Sequence, residues 1–186
     1  MRIQAAVAIF LLGALALATG VTPAPAAMTQ NPLLAHLSSL NGRTFDITFM
    51  QDVIPMHDES VEIALAATLN ADHPELLRWN QVLIERKKKE TRQMINWLGA
   101  LGGKQPMRGE GVATPSVKKM RQMKGAALEK VYIPLMAARL DQSAAFASLA
   151  SKKADKPELR AFAQQSARTD SQDAAMLRGW MKKWYH

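Results

Sequence analysis

Ala71-Asp72-His73-Pro74-Glu75-Leu76 returns, 83 residues later, as Ala154-Asp155-Lys156-Pro157-Glu158-Leu159. Each hexapeptide reads as the turn into a helix. An Asp supplies a capping oxygen, and Pro enters the first helical turn, where its missing N–H costs nothing. The same offset aligns Leu37 to Leu98 with Met120 to Met181 without a gap, with twelve of the sixty-two positions identical, among them Gly42 with Gly125, Asp58 with Asp141, Ala64 with Ala147 and Trp97 with Trp180. The simplest reading is one helical hairpin written twice.

Working outward from the turns, Leu33, Leu34, Leu37 and Leu40 make a short apolar stripe that stops at Asn41-Gly42, a helix-ending signal. From about Thr44 to Asn70, Phe45, Phe49, Val53, Met56, Ile63, Ala64 and Ala67 recur at helical spacing, and a second helix should run from Pro74 to Leu98. The other copy repeats this, with a long helix from about Ala127 to Lys153 and a last one to near Lys183. No stretch alternates apolar and polar residues between β-type turns, so the expected class is all-α. Two hairpins that cannot bury their stripes alone should dock as a four-helix bundle. The expected plan is a first copy over 28–98, a Gly/Pro-rich linker over 99–116 and a second copy over 117–186, with one bundle spanning 33–186.

Residues 1–27 read as an address. Arg2 precedes an apolar stretch to Val21, and Thr22-Pro23-Ala24-Pro25-Ala26-Ala27 suits signal peptidase. The expectation is a periplasmic or secreted protein with no membrane span after cleavage. The 186 residues contain no Cys, which excludes disulfide scaffolds, Cys-rich zinc sites, iron–sulfur clusters and thiol catalysis. A formal charge of +8 in an exported protein points to anionic envelope surfaces rather than to nucleic acid. The run Arg86-Lys87-Lys88-Lys89 reads as a solvated helix face.

Eleven methionines against few aromatics make the thioether the unusual side chain. On the first long helix, Asp46, Met50 and His57 fall within roughly 40° of one another at about 100° per residue, with Met56 about 100° from His57. Pro55 should bend the helix beside them. Thioether plus imidazole is a soft ligand set that selects cuprous copper. The alternative is that these Met residues fill the core and His57 is a hydrogen-bonded interior residue. No Glu-x-x-His, His-Glu-x-x-His, phosphate-loop or Gly-x-Ser-x-Gly motif occurs, so nothing marks an enzyme.

Phe49, Ile54-Pro55-Met56-His57, Ile63-Ala64, Pro74-Glu75-Leu76 and Met94-x-x-Trp97-Leu98 together resemble the pattern of the domain-of-unknown-function family 305. In that family a Met-Ile-Pro-His-His stretch precedes a Met-Ala pair and a Pro-Glu-Leu helix ending Met-x-x-Trp-Leu. The resemblance implies a ferritin-like bundle, export, and in some members copper binding through Met and His. Matched residue by residue, His57 stands at the second His and Met94 at the Met of the closing helix. Met56 replaces the first His, Val53 and Ile63 replace two Met, and Lys87 replaces a Gln. Arg139 and Leu140 occupy the His-His positions of the second copy. The resulting expectation is a non-catalytic protein that binds or buffers a copper ion through His57, Met56, Met50 and Met94. The rival is an envelope adaptor or structural bundle that binds a protein or an acidic partner without metal.

Overall fold

The computed structural model describes residues 31–185. The proposed signal segment lies outside the described residues. Within them the chain forms α1 (Pro32–Ser39), α2 (Gly42–Thr68), α3 (Pro74–Ala100), α4 (Pro115–Arg121), α5 (Gly125–Lys153) and α6 (Pro157–Tyr185), with no strand among the described residues. The four long helices are the four expected from periodicity. Helix α2 packs on α3 and on α5, and α5 packs on α6. Helices α3 and α6 are joined by long side chains. Trp79 meets Trp180 edge-on, Trp97 meets Phe162 edge-on, and Lys87 meets Asp170.

These contacts repeat at the 83-residue offset. The Trp79–Trp180 pair maps onto Phe162–Trp97. Asp46 of α2 accepts the backbone N–H groups of Asp155 and Lys156 at 2.9 and 2.8 Å, entering α6. Glu129 of α5, displaced from Asp46 by 83, accepts those of Asp72 and His73 at 2.6 and 2.9 Å, entering α3. Each hairpin's second helix is therefore capped by a carboxylate from the other hairpin, which satisfies donors that a helix start leaves open. Gly42 and Gly125 open the two long helices at φ +56° and +54°. A side chain at Gly125 would also meet Asp72 at 2.5 Å.

The interior consists of two apolar clusters. One gathers Leu34, Phe45, Phe49, Met50, Ile54, Met94, Leu98, Phe146 and Leu159, at the end where α2 and α5 respectively begin and finish. The other gathers Ile63, Leu76, Leu83, Met120, Tyr132, Met136, Leu140 and Leu177 at the opposite end. Between them, at mid-length of all four long helices, lies a buried polar layer containing His57, Lys87, Ser143 and Asp170.

Two features add to the expected plan. The Gly/Pro-rich segment does not hang free between the hairpins. Helix α3 continues to Ala100, α4 begins at Pro115, and the intervening chain runs along α2. Arg108 binds Asp58 through two nitrogens at 2.6 and 2.8 Å, Gly109 N–H donates to Asp58 at 3.0 Å and Gly111 N–H to Glu62 at 2.8 Å. Gln51 donates to the Lys104 carbonyl. Carboxylates on α2 thus hold a segment whose composition alone reads as a flexible linker. Second, α2 remains helical through Pro55 and α5 through Pro134.

Candidate metal centre

The polar layer is built from all four long helices. His57 comes from α2, Lys87 and Glu90 from α3, Ser143 from α5 and Asp170 from α6. Its hub is the Lys87 ammonium, which is 1% exposed. It donates to Asp170 Oδ2 at 2.7 Å and Oδ1 at 3.0 Å, approaches Glu90 Oε2 at 3.1 Å, and lies 3.4 Å from His57 Nε2. Ser143 Oγ donates to Asp170 at 2.6 Å. Arg86 reaches Asp173 at 2.5 Å and Asp170 at 3.4 Å from the half-buried rim.

An ammonium has donors and no acceptor, so Nε2 of His57 is the accepting nitrogen and the neutral ring carries its proton on Nδ1. That Nδ1 is buried without a hydrogen-bond partner and faces Glu90 Oε2, the oxygen beside Lys87, at 3.6 Å. Burial, followed by the Lys87 and Arg86 charges, pushes the imidazole well below its ordinary pKa of 6.5, so the ring is neutral near pH 7. Burial also raises the Glu90 carboxyl, against the lowering pull of Lys87.

The four residues named as copper ligands from sequence fall into two groups. Met50 and Met94 are fully buried in the apolar cluster at one end, and Met56 packs against that cluster from a half-buried position. Helices α2 and α3 run antiparallel. Met94 lies one heptad after Lys87 on α3 and Met50 one heptad before His57 on α2, and both belong to the same buried cluster. A heptad is about 10.5 Å of helix, so the Met50–Met94 level lies two turns from His57. Asp46, on the same stripe, is committed to capping α6.

The two levels fit a metal differently. Paired thioethers in an apolar surround match a soft monovalent ion in donor chemistry. The His57 level does not fit an ion as it stands, because the accepting imidazole nitrogen faces an ammonium and the carboxylate opposite is bonded to that same ammonium. Among the described residues no group of three or more His, Asp and Glu side chains is arranged to hold a metal.

Sequence reasoning missed Lys87. Read with its neighbours Arg86, Lys88 and Lys89, it counted as a solvated charge run, and for Lys87 that reading is corrected. The available signal was register. Leu76, Asn80, Leu83, Lys87, Thr91, Met94 and Leu98 recur at spacings of three and four, so Lys87 falls on the buried stripe of α3. The 83-residue offset also pairs it with Asp170, the opposite charge. His73, read as a cap or first-turn residue, is the N-cap of α3, with its ring stacked on Trp184 at 3.8 Å and its Nδ1 donating to Glu129.

Residues 18–98 match the model of the domain of unknown function DUF305. Among solved structures, CopM in its Cu(I)-bound form is 19% identical with a TM-score of 0.67, covering 76% of this chain and 98% of CopM. Silver-soaked CopM is 18% identical with a TM-score of 0.66, covering 76% and 97%. A DUF305 protein from Streptomyces coelicolor is 17% identical with a TM-score of 0.66, covering 73% and 89%. No curated protein matches the chain. At these identities the structural likeness establishes a shared helical fold. The sequence match and the structural likeness thus agree on similarity to DUF305 proteins, the sequence match extending over residues 18–98.

Proposed function

We propose that this protein is an exported, non-catalytic metal-binding bundle that holds a cuprous ion through thioether sulfur. Met50 and Met94 are the central donors, Met56 is the outer one, and His57 is the nearest imidazole. The observation that carries the reading is that Met50 and Met94 are both fully buried in one apolar cluster, in a fold shared with a protein known in a Cu(I)-bound form. Export is supported by the N-terminal segment and by the absence, among the described residues, of any helix long and apolar enough to cross a membrane. Catalysis is not part of the proposal, because the polar layer lacks a nucleophile poised beside a base in an open pocket.

The test is an anaerobic Cu(I) titration of the processed protein against a chromophoric competing chelator. Met50→Leu and Met94→Leu conserve volume and should cost little stability, yet each should weaken Cu(I) by about tenfold or more, equal to ~1.4 kcal/mol. Unchanged isotherms in both variants refute the thioether site.

A second reading, an adaptor for an anionic surface, is favoured by one end of the bundle. There Lys118, Lys119, Arg121, Lys124, Lys182 and Lys183 are exposed around the tip at Leu69, which is 89% exposed. Co-sedimentation with anionic but not neutral vesicles, lost at high salt, distinguishes this reading from the first.

A further inference from the structure

We infer that Lys87 is the resident cation of the polar layer. Its ammonium occupies the place at which His57, Glu90 and Asp170 would otherwise gather a divalent metal. The inference does not depend on whether the thioether level binds copper.

Three observations carry it. First, the ammonium is surrounded as an ion would be, with one imidazole nitrogen and three carboxylate oxygens within 3.4 Å, drawn from α2, α3 and α6. Second, the imidazole keeps a donor that the ammonium cannot use. His57 Nδ1 remains buried without a hydrogen-bond partner, 3.6 Å from Glu90 Oε2, in a layer where nearly every buried polar atom is normally satisfied. His57 itself is only 2% exposed and directed into the layer. Third, the shell is braced from outside. Ser143 of α5 orients Asp170, and Arg86 ties Asp170 and Asp173 at the rim. One nitrogen and several carboxylate oxygens suit a borderline divalent ion such as Co(II) or Zn(II), and not the soft monovalent ion that the thioethers favour.

Lys87 has a second consequence. A lysine on the α3 stripe cannot be chelated away or exchanged, so the layer stays charge-balanced whatever the metal supply. Metal entering this protein is then confined to the sulfur level, and His57 serves as a hydrogen-bond acceptor to Lys87.

The test uses Co(II) as the probe, read by its visible d–d absorption and by the imidazole NMR signals, with the His57 signal assigned from His57→Gln. In the wild-type protein Co(II) should leave the His57 signal in place and unbroadened. Lys87→Ala should bind one equivalent of Co(II) and shift or broaden His57, and adding His57→Gln to Lys87→Ala should weaken that binding by about tenfold or more. Folding is checked by circular dichroism, and Lys87→Gln, which keeps a donor towards Asp170, replaces the alanine variant if that one does not fold. Direct perturbation of His57 by Co(II) in the wild type overturns the inference. So does a folded Lys87 variant that binds no Co(II), or one whose binding ignores His57. The wild-type arm decides the matter even if neither Lys87 variant folds. A failed Cu(I) titration bears only on the thioether proposal.

Discussion

Asp170→Ala should be among the most damaging single substitutions in the molecule. Asp170 is fully buried and accepts from Lys87, Ser143 and Arg86. Deleting its carboxylate leaves an ammonium in the interior beside a neutral imidazole, with Glu90 as the nearest anion at 3.1 Å. Breaking a buried pair by removing one partner costs about 3–5 kcal/mol. In a chain of this size each kcal/mol lowers Tm by about 2–4 °C, so the expected fall is about 6–20 °C. Replacing both partners with apolar residues, as in Lys87→Met with Asp170→Leu, removes the desolvation cost with the attraction and should recover most of the loss. The two changes should therefore be strongly non-additive, with a coupling energy of about 2–3 kcal/mol in a double-mutant cycle. Urea unfolding followed by far-ultraviolet circular dichroism measures all four corners. If Asp170→Ala costs under about 1 kcal/mol, or the double variant loses the sum of the single ones, the layer is not the tightly coupled, water-excluded network described above.

Other expectations follow from the same geometry. Since the folded state holds His57 below its unfolded value of 6.5, the unfolded chain binds the extra proton first. Stability is complete above that pH and falls as the medium is acidified through it. His57→Gln should flatten this slope in unfolding measured from pH 7.5 downward, and an unaltered slope would count against a buried neutral ring. Glu90 contributes with the opposite sign, because its raised carboxyl favours the folded state as it gains a proton. In the second hairpin, burial raises the Glu129 carboxyl but the hydrogen bonds from Tyr185, His73 and Asp72 outweigh it and leave its pKa lowered. Glu129→Ala should cost about 1–2 kcal/mol, as loss of a helix cap does, and should change tryptophan fluorescence by releasing the His73–Trp184–Tyr185 group. Gly42 and Gly125 share a left-handed φ, yet a Cβ at Gly42 meets nothing while one at Gly125 strikes Asp72. Gly42→Ala should therefore cost about 1–2 kcal/mol from backbone conformation alone, and Gly125→Ala clearly more in the same urea assay.

The 83-residue correspondence, which we read as a duplicated hairpin, made much of the fold legible. It placed both turns and all four long helices. The absence of thiol chemistry was equally readable from composition. These features are local. A Pro in a first turn, a Gly before a helix and an apolar residue at every third or fourth position act within a few residues of themselves. The candidate ligands were legible in part. Met50, Met56 and His57 were found on their helix, but Met94 entered only through resemblance, and its sharing a cluster with Met50 depends on how α2 and α3 meet.

Charge pairing across helices lay beyond local reading. Lys87 beside Arg86, Lys88 and Lys89 has the composition of a solvated face; its register puts it on the buried stripe of α3, and packing against α6 supplies its partner Asp170. Asp46 looked like a partner for His57 and is instead the cap of a helix more than a hundred residues away. The Gly/Pro-rich segment read only as a linker, and the structure adds that Asp58 and Glu62 bind its N–H groups and Arg108. The sequence by itself determined which residues coil and where coiling stops, because those preferences are set by near neighbours. The tertiary structure alone decided which charges lose water together. Desolvation depends on the whole surround of a group, and that surround is assembled from four helices distant in sequence.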